Sequence, residues 1–117
     1  MIVFLTSDLM MTSHASSFAR QREIKFKTSV DADAAIKLIE LRRPYLFLVD
    51  LQTPGLDIPK LGEMIRDLAD SVCPLTVAYA QHVNVEVLQQ GKTAGFDQVM
   101  TRGQFNSQIG QIIANVS

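Results

Sequence analysis

Two aspartates stand just beyond apolar runs: Asp8 after Ile2-Val3-Phe4-Leu5-Thr6-Ser7, and Asp50 after Tyr45-Leu46-Phe47-Leu48-Val49. Carboxylates offer oxygen ligands, so two of them brought together could hold a hard cation such as Mg²⁺. One of them could also attack a phosphoryl group as a nucleophile. Each alone has a plainer use, because an aspartate after a strand can cap the helix or loop that follows. The other reactive side chains offer less. Cys73 is the only cysteine, which excludes an internal disulfide and any multi-cysteine metal site. Flanked by Val72 and Pro74, with no histidine or basic residue near it, Cys73 reads as a small buried hydrophobe rather than a reactive thiol. His14 and His82 lie on different elements, without a partner at metal-ligand spacing, and read as solvent-facing. Met10, Met11, Met64 and Met100 read as scattered core fillers.

Whether the aspartates meet depends on the elements that carry them. Ile2 to Thr6 is a nearly continuous apolar strand, as expected where helices cover both faces of a parallel sheet. Met11, Ala15 and Phe18 follow at helical spacing. Glu23 to Thr28 alternates, with Ile24 and Phe26 facing one way and Lys25 and Lys27 the other, a half-exposed strand suited to a sheet edge. Ala32, Ala35, Ile36 and Ile39 mark a second helix, with Asp31 and Asp33 at its positive end and Arg42 and Arg43 at its negative end. Pro44 stops it. Tyr45 to Val49 is a central strand, followed by a turn at Pro54-Gly55. Asp57 is the N-cap of a third helix, with Pro59 in its first turn and Leu61, Met64, Ile65 and Leu68 on one face. Leu75 to Ala80 is a fourth strand. A fourth helix is expected from about Val83 to Ala94, ended by Gly95. Val99 and Met100 form a short fifth strand, and Phe105, Ile109, Ile112, Ile113 and Val116 stripe a last helix.

Strands alternating with helices imply right-handed crossovers and a parallel sheet. Five strands with the second at an edge suit an α/β three-layer sandwich of the flavodoxin-like order 2-1-3-4-5, in one domain over residues 1–117. In such a sheet, ligands bind beyond the carboxyl ends of the strands where the order reverses. That crevice lies between the first and third strands, which are the two that end in Asp8 and Asp50.

Composition narrows the function classes. An apolar fraction of 47% is that of a globular protein. Eleven basic residues against twelve acidic ones leave a net charge of -1, so no basic stripe points to direct nucleic-acid binding. The opening MIVFLTSD lacks a basic leader and is too short to span a membrane, so the expected location is cytoplasmic, with no membrane partner.

The stretch YLFLVDLQTPGLD resembles the third strand and following loop of response-regulator receiver domains, the CheY-like family, in which a proline stands four residues after the phosphoacceptor aspartate. Asp50 and Pro54 match that spacing. GFDQVMTRG at residues 95–103 is similar to the family's glycine-led run into its fifth strand, and the element order fits over the whole chain. The resemblance makes Asp50 the phosphoacceptor candidate. It also makes Asp8, Asp50 and the Gln52 backbone carbonyl the Mg²⁺ ligands, with Tyr79 and Arg102 at the phosphoryl-contact positions and Val99 at the aromatic switch position. Several of these depart from the family pattern. The family's paired acids after the first strand are here Ser7 and Asp8, and Ser7 lacks the charge that would strengthen Mg²⁺ binding. Tyr79 places a bulky phenol where a small hydroxyl is usual, so that hydroxyl is expected to land elsewhere. Arg102 and Gly103 replace Lys-Pro, keeping a positive charge but as a planar fork.

The resemblance implies a receiver-like signalling domain of a two-component or phosphorelay system. It is expected to be atypical, a pseudo-receiver with impaired phosphorylation switching and at best a weak Mg²⁺ site. It would act by contact with a protein partner, a histidine kinase or an effector, rather than as an enzyme, and could form a homodimer through the fourth and fifth helices. The alternative is a phosphorylatable receiver using Asp50 with Mg²⁺. A flavodoxin-like cofactor protein is a further rival, but TSDLMMTS offers no glycine for a phosphate loop, Asp8 would repel a phosphate, and no tryptophan is present to sandwich a flavin. A phosphatase of the haloacid-dehalogenase type would need an aspartate at the position of Gln52.

Overall fold

The computed structural model describes residues 1–116. Ten elements alternate along the chain: β1 (Ile2–Leu5), α1 (Leu9–Gln21), β2 (Phe26–Ser29), α2 (Ala32–Arg42), β3 (Leu46–Asp50), α3 (Ile58–Arg66), β4 (Leu75–Ala80), α4 (Val85–Ala94), β5 (Gln98–Thr101) and α5 (Arg102–Val116). The strands form one parallel sheet in the order β2-β1-β3-β4-β5. This is the expected α/β sandwich, with β2 at an edge.

Side chains alternate across the pleat, so each central strand feeds two cores. Val3, Leu5, Phe47, Val49, Ala78 and Ala80 face α2, α3 and α4, where they meet Ala35, Ile39 and Leu61. Ile2, Phe4, Leu46, Leu48, Val77 and Tyr79 face α1 and α5, where they meet Met11, Ala15, Phe105, Ile109 and Ile113. Burial on both faces explains why β1 and β3 read as unbroken apolar runs. Each fully buried leucine, isoleucine or phenylalanine contributes about 1.5–3 kcal/mol of transfer free energy. Gly62 lets α3 approach α4 closely, since a Cβ there would stand 2.7 Å from the Ala94 carbonyl oxygen.

Capping follows the sequence. Asp8, Asp31 and Asp57 are the N-caps of α1, α2 and α3, accepting from the amides of Met11, Asp33 and Lys60. Gly95 ends α4 with φ +92°, a left-handed conformation that costs glycine nothing.

Several local expectations are corrected. β2 starts at Phe26 rather than Glu23, because Glu23 (φ +58°) and Ile24 turn the chain off α1, the Ile24 amide donating to the Ala19 carbonyl. Helix α4 starts at Val85, after Asn84, and Val83 lies exposed in the preceding turn. Cys73 is exposed in the turn before β4, where Pro74 is buried in its stead. Met10 points to solvent from the outer side of the first turn of α1, at 80% exposure. His14 is half-buried: its ring packs edge-on against Phe18, and Nε2 donates to the Asn106 carbonyl at 3.0 Å, joining α1 to α5.

Candidate functional site

β1 and β3 are neighbours from which the chain departs toward opposite edges of the sheet, and their carboxyl ends deliver Thr6, Asp8 and Asp50 to one crevice. Asp50 closes β3 and is buried. One carboxylate oxygen, Oδ2, accepts from the Thr6 hydroxyl at 2.9 Å; the other accepts from the Gln52 amide at 2.9 Å. The Thr6 oxygen in turn accepts from the Asp8 amide at 2.9 Å. A chain of bonds thus runs from the start of α1 through Thr6 to Asp50.

Asp8 uses its two oxygens differently. Oδ1 caps α1, accepting from the Met11 amide at 3.0 Å. Oδ2 accepts from Arg102 Nη2 at 2.7 Å and Nε at 3.3 Å. Burial works to raise the Asp8 pKa, but the Arg102 hydrogen bonds and charge and the Met11 amide outweigh it and hold the carboxyl below its ordinary value. The same hydrogen bond to Asp8 raises the Arg102 guanidinium, against the opposing effect of burial. The side chains are 40% (Arg102) and 24% (Asp8) exposed, so solvent screening keeps the pair's contribution to stability small. Its geometric effect is larger, because it ties the first residue of α5 to the N-cap of α1.

Tyr79 lies opposite Asp50 in the β3–β4 register and is 1% exposed. Its ring stacks on Phe105 of α5, with centroids 4.3 Å apart and planes inclined by 23°, and meets Phe4 edge-on at 6.2 Å. The hydroxyl is buried and has no hydrogen-bond partner among the described residues. Thr6 stands near enough to favour the ionised phenol slightly, but its own proton is committed to Asp50. Burial, followed by the Asp50 charge, pushes the phenol well above its ordinary value, so Tyr79 stays neutral. Its hydroxyl remains within electrostatic reach of the site instead of turning away from it.

The remaining candidates, Gln52 and Val99, are placed differently. Gln52 is exposed; its amide serves Asp50, and its side-chain oxygen accepts from the Gln81 amide at 2.7 Å, joining the loops after β3 and β4. Val99 pairs with Ala78 and packs half-buried on the α2–α3–α4 side, close to Gly91. Sequence reasoning passed over Thr6 and Thr53, which fix Asp50: Thr53 Oγ1 donates to the Asp50 carbonyl at 2.7 Å. Thr6, a hydroxyl two residues before Asp8 at a strand end, was the one readable signal for this.

The donor set does not fit a divalent cation as it stands. Asp8 already carries the guanidinium on one oxygen and a helix amide on the other, and Asp50 accepts on both oxygens. Ser7 adds no charge, and no group of three or more His, Cys, Asp or Glu side chains among the described residues is arranged to hold a metal.

No protein-family model matches the sequence, and no curated protein is detectably similar to it. Solved structures are similar in fold. The receiver domain of NtrX from Brucella abortus superposes with a TM-score of 0.78 at 18% identity, covering 99% of this chain and 97% of that one. A chemotaxis response regulator of Vibrio cholerae does so with a TM-score of 0.78 at 12% identity, over 99% and 97% of the two chains. The receiver domain of a Pseudomonas aeruginosa sensor histidine kinase, which has a magnesium ion coordinated in its active-site cleft, gives 0.79 at 15% identity over 97% and 93%. The fold is therefore the CheY-like receiver fold.

Proposed function

We propose that this chain is a receiver-type module of a two-component or phosphorelay system that signals through protein contact, without the phosphorylation-driven rearrangement of its relatives in fold. The observation that carries the reading is Tyr79. At the end of β4, beside Asp50, stands a phenol locked by a ring stack, while Val99 provides no aromatic ring on β5. A phosphoryl group on Asp50 would find no small hydroxyl to draw in and no second ring to follow it. A ligand with equal contacts in two states shifts neither population. The partner is a histidine kinase or an effector protein and the setting cytoplasmic; no helix among the described residues is long and apolar enough to cross a membrane. The module is not an enzyme. A homodimer through α4 and α5 fits the same reading, because the α5 surface after Arg102 presents Gln104, Asn106, Gln108 and Gln111 with no formal charge to desolvate.

The test is to add acetyl phosphate, or beryllofluoride with Mg²⁺, and record amide chemical shifts. Changes confined to the surroundings of Asp8, Asp50 and Arg102, or none, are expected. Shifts spreading through residues 83–105 and abolished by Asp50→Asn would establish the alternative, a phosphorylatable switch.

A further inference from the structure

We infer that Arg102 is the resident cation of this site, and that its guanidinium takes the place a divalent metal ion would otherwise hold. The inference rests on the reading of Asp8 and Asp50 as a receiver-type acid pair, and adds what partly offsets its charge.

Arg102 directs two donors at a single oxygen of Asp8, the nearer at 2.7 Å, across 94 positions of sequence. The other Asp8 oxygen is bound to the first turn of α1, so the carboxylate cannot swing toward a new ligand without uncapping that helix. Asp50 makes no bond to Arg102; its two oxygens accept from Thr6 and the Gln52 amide. Two carboxylates and one guanidinium leave the site with a net charge of -1, which a single monovalent side chain has already reduced from -2. A divalent ion entering beside the guanidinium would meet a cation at close range, a repulsion that partial exposure of the pair reduces but does not remove. It would have to displace Arg102 first, and Ser7 offers no acid to compensate. A lysine could retreat as a flexible point charge, whereas the planar arginine fork is fixed by both of its contacts to Asp8.

The consequence is a site whose electrostatic balance is independent of metal concentration. Magnesium chloride is titrated into the ¹⁵N-labelled protein to about 20 mM at constant ionic strength, well above the range of a functional divalent site. The amides of residues 6–8 and 50–52 and the Arg102 Nε–H resonance are expected not to shift saturably. In Arg102→Gln, which leaves a shorter polar side chain and removes the charge, saturable shifts at those amides are expected, with affinity raised roughly ten- to a hundredfold. Adding Asp8→Asn to that variant should abolish them. Saturable Mg²⁺ shifts in the wild type would overturn the inference, as would a folded Arg102→Gln protein that stays silent. If Arg102→Gln does not fold, the wild-type Nε–H resonance decides alone: its displacement by Mg²⁺ refutes the inference and its persistence supports it. No phosphoryl donor is present, so failure here leaves contact signalling standing, and failure of the phosphoryl test leaves Arg102 as the resident cation.

Discussion

Replacing Tyr79 by phenylalanine should make the protein more stable. The hydroxyl is buried and unpartnered among the described residues, and a buried polar group without a hydrogen bond costs about 1–3 kcal/mol. Phenylalanine keeps the ring, and with it the 4.3 Å stack on Phe105 and the edge contact with Phe4. The Thr6 hydroxyl keeps its bond to Asp50. The space left by one oxygen returns part of the gain as lost dispersion, so the net expectation is about 1 kcal/mol of stabilisation. For a chain of 117 residues this corresponds to a rise in Tm of roughly 3–6 °C, or a urea midpoint higher by about 0.5 M with an unchanged slope. An alkaline arm follows from the raised Tyr79 pKa. Above the ordinary phenol value of 10.0 the unfolded chain releases the proton while the folded protein retains it, so wild-type stability falls as pH rises. The variant lacks this contribution and should gain further on wild type above pH 10. Urea unfolding at pH 7 and at alkaline pH checks both arms. A loss of 1 kcal/mol or more at pH 7 would refute the reasoning, because it would mean that the hydroxyl makes a bond worth keeping.

Asp8 separates capping from ion pairing. Asp8→Ala should cost about 1 kcal/mol through the lost α1 cap, whereas Asp8→Asn keeps the cap and should cost no more than about 0.5 kcal/mol; paired denaturation curves distinguish them. The folded Asp8 pKa lies below its ordinary 3.8, so its contribution is present above that value and lost as pH falls through the folded value. An acid titration of stability should therefore be flatter in Asp8→Asn than in wild type. Gly62→Ala would press a methyl group against the Ala94 backbone and should destabilise by about 1–3 kcal/mol, with thermal melts as the measure; a neutral result would mean that α3 and α4 pack less closely than described. Asp97→Ala should cost a similar amount, because the carboxylate accepts from both the amide and the hydroxyl of Thr76 at the start of β4.

The strand order was legible because burial on both faces writes continuous apolar runs into β1 and β3 and a mostly apolar one into β4, and because the lysines flanking Phe26 mark an edge. The cap at Asp57 was read directly, Asp31 was placed at the positive end of its helix, and capping was the plainer of two readings for Asp8; all three cap their helices. Hydrophobicity misled where it was not matched by burial. Val83 and Met10 are apolar yet exposed, and Cys73 sits in a turn, because period and composition do not reveal which residue of a loop reaches the core. At the site, topology brought Asp8 and Asp50 together as the switch-point rule requires. The partners they chose were not readable. Arg102 reaches Asp8 from the far end of the chain, and spacing alone says nothing about such a pair. Tyr79 packs its ring into the α1–α5 core by stacking on Phe105, while the Asp50 and Asp8 charges still act on its hydroxyl, a combination that residue type alone does not reveal.

The sheet order also sets when the site is completed as the chain assembles. Among the described residues no strand pairs through a hairpin: Ile2 pairs with Phe26 on one side and Leu46 on the other, and Val77 with Gln98. Loop-closure entropy grows only logarithmically, about 0.6 kcal/mol per doubling, so joining β1 to β3 costs little more than the shorter closures. Thr6, Asp8 and Asp50 are therefore in place once the first three strands have associated. The guanidinium arrives only with the last helix. During vectorial synthesis two acids at adjacent strand ends wait for a counter-charge that is translated half a chain later, and docking α5 completes the core and halves the site's negative charge in one event.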